Sequence, residues 1–155
     1  MLPETVGVEP VESAEETRVA MNEYRELSHR DAQRIVEAVR AELDATASGA
    51  AIAVVDAHGE LLAFLRTDGC PLPSITIAIN KAYTAARQRT ESRAVGQAAR
   101  DEGFPMTNFG ELRYVSWGGG VPVLIDDEVV GAVGVSGLPE PDDVALARKG
   151  AALLG

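Results

Sequence analysis

The chain has 155 residues, one cysteine and a formal charge of −10 at neutral pH, a length that fits a single domain able to bury most of its apolar side chains. With 24 acidic against 14 basic residues, it lacks the basic stripe that nucleic-acid phosphates require, and no apolar run approaches the length of a membrane helix. The lone Cys70 excludes an internal disulfide framework, and the acidic Met1-Leu2-Pro3-Glu4 start has no export pattern, so a cytoplasmic protein is expected.

Residues 1–26 hold seven acids against Arg18 and Arg25 and few large apolar groups, the composition of a flexible acidic arm. A short helix across Glu15–Met21 is one option within it. The folded domain is predicted for residues 27–155. Ser28 suits a helix N-cap, with Asp31 three residues on. Ala32, Ile35, Val36, Val39 and Leu43 then mark one helical face. Residues 50–56 and 60–67 read as two strands joined by Ala57-His58-Gly59, an antiparallel hairpin.

After a loop containing Cys70, Ser74 is expected to cap a helix reaching about Arg89, and a further helix runs from about Arg93 to Asp101. Gly103-Phe104-Pro105 breaks it. Gly118-Gly119-Gly120 leads into a second hairpin, with Val121, Val123 and Ile125 alternating before an Asp126-Asp127 turn. A last helix spans Asp142–Leu154, introduced by Pro139 and Pro141.

Several residues in this frame can carry chemistry. Asn80, Lys81, Thr84 and Arg87 are spaced to share a helix face; they form either a site wall or a solvated surface. Lys81 and Arg87 suit a carboxylate, and Thr84 can bond one of its oxygens. Glu111, Arg113 and Tyr114 precede the glycine loop, where Arg113 can hold a substrate carboxylate and Glu111 or Tyr114 can move a proton. Lys81, Glu111 and Arg113 are the catalytic candidates. The glycine loop lacks a Gly-Lys-Ser/Thr ending, so it is no nucleotide P-loop; Gly119 and Gly120 offer either amides to an anion or a tight crossing between chains. Ser136 can donate near the last helix. His29 at a helix start is a better iron ligand than His58 in a hairpin turn.

Val54-Val55-Asp56-Ala57-His58-Gly59, residues 78–85, Gly118-Gly119-Gly120-Val121-Pro122 and residues 131–137 together resemble the GlcG/HbpS family, also found as the C-terminal domain of PduO-type adenosyltransferases. The likeness covers about residues 27–154. It implies a profilin-like α–β–α sandwich of the α/β (α+β) class, with a five-stranded antiparallel sheet, helices on both faces, and homo-oligomers. Some members bind haem. The resemblance therefore implies a small-ligand-binding protein that takes haem or a related tetrapyrrole at a subunit interface, with His29, Thr84, Gly119, Gly120 and Ser136 as binding candidates and His29 as metal ligand. No membrane or nucleic-acid partner is implied. Two other readings stay open: a cofactor-independent isomerase, hydratase or lyase acting on a carboxylated substrate, and an accessory oligomer without ligand. Convergence of Lys81, Thr84, Glu111 and Arg113 on one pocket would favour the enzyme.

Overall fold

Amphipathic helices and two hairpins must bury their apolar faces against each other, and the computed structural model, which describes residues 1, 7–10 and 18–155, shows how. Helix α1 (His29–Asp44) is followed by strands β1 (Ala51–Asp56) and β2 (Leu61–Arg66). Helices α2 (Ser74–Gln88) and α3 (Ser92–Glu102) come next, then a single 3-10 turn at Met106–Phe109. Strands β3 (Gly120–Ile125) and β4 (Glu128–Ser136) and helix α4 (Glu140–Ala151) complete the chain. The helix considered for Glu15–Met21 begins outside the described residues, and residues 18–28 form no helix. No helix among the described residues is long and apolar enough to cross a membrane.

The four strands pair antiparallel in the order β2-β1-β4-β3. Strand alternation sends Ile52, Val54, Val133 and Val135 to one face, where α1 and α4 cover them. Ala51, Ala53, Val55 and Ala132 face the other way, onto the alanines of α2. Helices thus cover both faces of the sheet, as the resemblance implied. The sheet has four strands among the described residues, not five. The physical reason lies in residues 104–119, where Pro105, Gly110 and the glycine run interrupt any alternation. Backbone donors there go to side chains instead of a ladder: Val115 N–H donates to Thr84 Oγ1 at 2.9 Å and Gly118 N–H to Glu140 Oε1 at 2.9 Å.

The buried positions of α1 are Ala32, Ile35, Val36, Val39 and Leu43, each large aliphatic contributing about 1.5–3 kcal/mol relative to exposure. Ser28 caps the helix by accepting from Asp31 N–H at 3.1 Å. The aspartate does not return the bond as a capping box would; its carboxylate accepts from Arg34 at 3.2 Å. Ser28→Ala should cost about 1 kcal/mol in denaturant unfolding, and an unchanged midpoint would show the cap contributes nothing. Ser74 does not cap α2. It lies inside the helix, 6% exposed, and Pro73 holds the cap position with no side-chain bond. Helix α4 starts two residues earlier than expected and ends at Ala151.

The end of the acidic arm is tied to the domain. Leu27 is buried and its N–H donates to Val130 O at 2.9 Å. Arg25 pairs with Asp126 at 3.3 Å, and Tyr24 meets the His58 ring edge-on at 5.4 Å. At the other end, Arg148 of α4 grips Glu91 before α3 through two bonds of 2.7 and 2.9 Å.

Candidate functional site

Lys81 is buried on α2 against β4 and α4. Helix α2 presses on β3 and β4 closely enough to place it there because the facing positions are glycines. A Cβ on Gly120 would stand 2.1 Å from Lys81 O, and one on Gly119, whose φ is +121°, would stand 2.9 Å from Lys81 Nζ. The ammonium donates to Val135 O at 2.9 Å and to Asp143 Oδ2 at 3.1 Å. Both side chains of this ion pair are nearly inaccessible, at 3% and 4%. Asp143 Oδ1 accepts from Leu138 N–H at 3.1 Å, which fixes the carboxylate in the first turn of α4. Burial raises the Asp143 carboxyl above its ordinary value, and Lys81 opposes that rise.

A cavity of about 310 Å³ opens beside this pair. Ser74, Ser136, Gly137, Trp117 and Glu140 line it together with Lys81. Ser136, a residue singled out from sequence, is therefore brought to Lys81 by β4. Asp143, Ser74 and Trp117 were missed as site residues. Asp143 stands 62 positions from Lys81, and its only local signal was an acidic helix start, which solvent or the helix dipole explains equally well.

The other catalytic candidates lie elsewhere. Arg113 pairs with Glu111 at 3.2 Å and Glu60 at 3.5 Å, and its guanidinium stacks 4.0 Å above the Tyr83 ring. The hydrogen bond from Arg113 holds the Glu111 carboxyl below its usual range. Thr84 is fully buried between the two places; its hydroxyl donates to Asn80 O at 2.8 Å and accepts from Val115 N–H. Lys81, Glu111 and Arg113 share no partner and no cavity among the described residues, so they do not form one constellation. The α2 face is only partly solvated: Lys81 and Thr84 are 2% and 0% exposed, whereas Asn80 is half-buried and Arg87 exposed.

The Gly118 and Gly120 amides of the glycine loop are engaged within the chain. Gly118 N–H donates to Glu140, and Gly120 N–H to Ser92 Oγ at 2.9 Å. Gly119 O accepts from Val135 N–H at 2.9 Å. Cys70 is partly buried, its thiol pushed up by desolvation, the opposite of an activated nucleophile.

The two histidines have different surroundings. His58 bonds the Glu26 carboxylate through Nδ1, while Asp56 Oδ1 accepts from His58 N–H at 2.9 Å and Glu60 N–H at 3.0 Å to close the turn. His29, in the first turn of α1, lines a groove of about 370 Å³ whose other wall is β2, with Leu62, Ala63, Phe64 and Leu65. The chemistry of that donor set is compatible with a haem: the His29 imidazole could ligate iron, and the apolar residues of β2 could pack against a macrocycle.

Comparison with known proteins places this geometry in a family. The sequence pattern described as haem degrading protein HbpS-like matches residues 27–152. Protein GlcG of Escherichia coli K12 is 37% identical over 116 residues, covering 71% of this chain and 81% of GlcG. The crystal structure of a double mutant of Streptomyces reticuli HbpS superposes with a TM-score of 0.78 at 27% identity, over 99% of both chains. A PduOC–haem complex shares the fold with a TM-score of 0.74 at 24% identity, over 82% of this chain and 94% of that one. With this pattern match and these relatives, the chain belongs to the HbpS-like family.

Proposed function

We propose that this protein binds haem in the groove between the first turn of α1 and β2, with His29 as the axial ligand. The observation that carries the reading is the contrast between the two imidazoles. His58 is committed to Glu26, whereas His29 has no carboxylate partner among the described residues and lies against Leu62–Leu65. The family's description names haem, and one structural relative was solved with haem bound. Both support the choice of ligand.

Bound haem would supply a redox-active iron. The chain's own part is to hold it: the His29 imidazole for the iron, the apolar residues of β2 for the macrocycle, and Gln33 and Glu37 at the rim. Strand β2 is also an edge of the sheet, paired among the described residues only with β1. Its free edge, with Leu61 exposed and Leu62 half-buried, suits coverage by a second copy of the chain, which would put the haem groove at a subunit interface.

A haem titration followed at the Soret band tests this. Saturable binding at one site per subunit or subunit pair is expected, with affinity at least about tenfold weaker in His29→Ala, equivalent to about 1.4 kcal/mol. Binding indifferent to that substitution would refute the assignment. Mass in solution should exceed that of the monomer; a strictly monomeric haem-loaded protein would remove the interface part of the reading.

A further inference from the structure

We propose that the cavity beside Lys81 is a second ligand site, for a small uncharged hydroxylated compound such as a vicinal diol or triol. Three polar side chains that line it are more than nine-tenths buried: Lys81 at 2% exposure, Ser136 at 5% and Ser74 at 6%. The hydroxyls of Ser74 and Ser136 have no side-chain or backbone partner among the described residues; neither is sealed off, and both are open to the cavity they border. Lys81 has three N–H donors, of which Val135 O and Asp143 occupy two. Three nearly enclosed polar groups with spare hydrogen-bonding capacity thus meet around one cavity, whose 310 Å³ is at the low end for small-molecule sites.

Charge selects the ligand class. Asp143 already neutralises Lys81 at 3.1 Å, and Glu140 adds a second carboxylate to the lining. The site therefore carries a formal −1, and an anion reaching the ammonium would also meet Asp143. A neutral polyol avoids that repulsion and matches the set. Its oxygens can accept from Lys81 and the serines, its hydroxyl protons can go to the carboxylates, and its carbons can rest against Trp117. This site shares no residue with the His29 groove, so it stands or falls separately from the haem reading.

Trp117 is the only tryptophan of the chain and lines the cavity, which makes its indole N–H resonance a built-in reporter. The full-length protein is titrated with glycerol and, as a charged probe of like size, with glycerate. The Ser74→Ala/Ser136→Ala double variant is treated in the same way; since neither hydroxyl supports a bond within the fold, it should unfold at close to the wild-type temperature. Glycerol should shift the indole resonance saturably, with half-saturation about fivefold higher in the double variant, as expected for lost neutral hydrogen bonds. Glycerate should bind more weakly. A linear response of equal slope in both proteins would mean solvent filling only and overturn the proposal. Tighter binding of glycerate than of glycerol, or glycerol binding unchanged in the double variant, would overturn it as well.

Discussion

Lys81→Met is expected to destabilise the protein by about 3–5 kcal/mol at pH 8, because it leaves Asp143 as a buried carboxylate without its cation. Asp143 is 3% exposed, so cavity water replaces only part of what the lost ammonium supplied. The loss should depend on pH with a definite sign. Burial already raises the Asp143 carboxyl above its ordinary value of 3.8, with Lys81 opposing; removing Lys81 raises it further. A carboxyl raised in the folded state contributes stability that is fully present below its unfolded value and is lost as pH rises through its folded value. The deficit of the variant relative to wild type should therefore be small near pH 4–5 and grow toward pH 8. Adding Asp143→Asn to Lys81→Met should recover much of the loss at pH 8 and flatten the pH dependence. Denaturant unfolding across that range checks this, and a deficit equal at every pH would contradict it.

Gly134→Ala is expected to cost about 3 kcal/mol or more, enough to leave much of the protein unfolded or insoluble on expression. A Cβ on Gly134 would sit 2.0 Å from Ala78 O and 2.7 Å from Ala82 N. Both are backbone atoms of α2, so relief requires lifting the helix off the sheet, and with it Lys81 from Val135 and Asp143. Gly103→Ala is the control. Nothing lies within 4 Å of its added methyl, and only its φ of +72° opposes the change, which should cost about 1 kcal/mol. Thermal unfolding of the two variants separates a helix–sheet contact limit from a local conformational cost; equal effects would show that α2 can yield.

Much of the fold was readable because its signals are local. The five apolar residues marked on α1 from periodicity are its buried residues. Asp126 and Asp127 take φ values of 51° and 63°, the left-handed pair that a two-residue hairpin turn requires. Ser74 illustrates the limit. A serine after Pro-Leu-Pro has the local look of a cap, but Pro73 takes the cap position, Ser74 becomes the first helical residue, and its hydroxyl lines the cavity that Lys81 also lines. The missing fifth strand has a similar cause, since Thr84, Ser92 and Glu140 satisfy the backbone of residues 115–120 from other elements.

The site was less readable still. Lys81, Ser136 and the glycine loop were singled out and do meet, yet spacing along α2 could not say that Lys81 turns inward while Arg113 stacks on Tyr83 elsewhere. The partner that defines Lys81 is a long-range one, and neither Asp143 nor Trp117 carried a motif. His29 was chosen over His58 for its place at a helix start. The structure adds what the sequence lacked, the apolar wall of β2 beside one imidazole and the Glu26 carboxylate on the other.

Chemical rescue of the haem complex tests that choice most directly. His29→Gly loaded with haem should lose the wild-type absorption and electron paramagnetic resonance signatures, and exogenous imidazole should restore them. His58→Gly should keep the wild-type spectra without imidazole. A His29→Gly complex whose iron spectra match wild type before any imidazole is added would contradict the account.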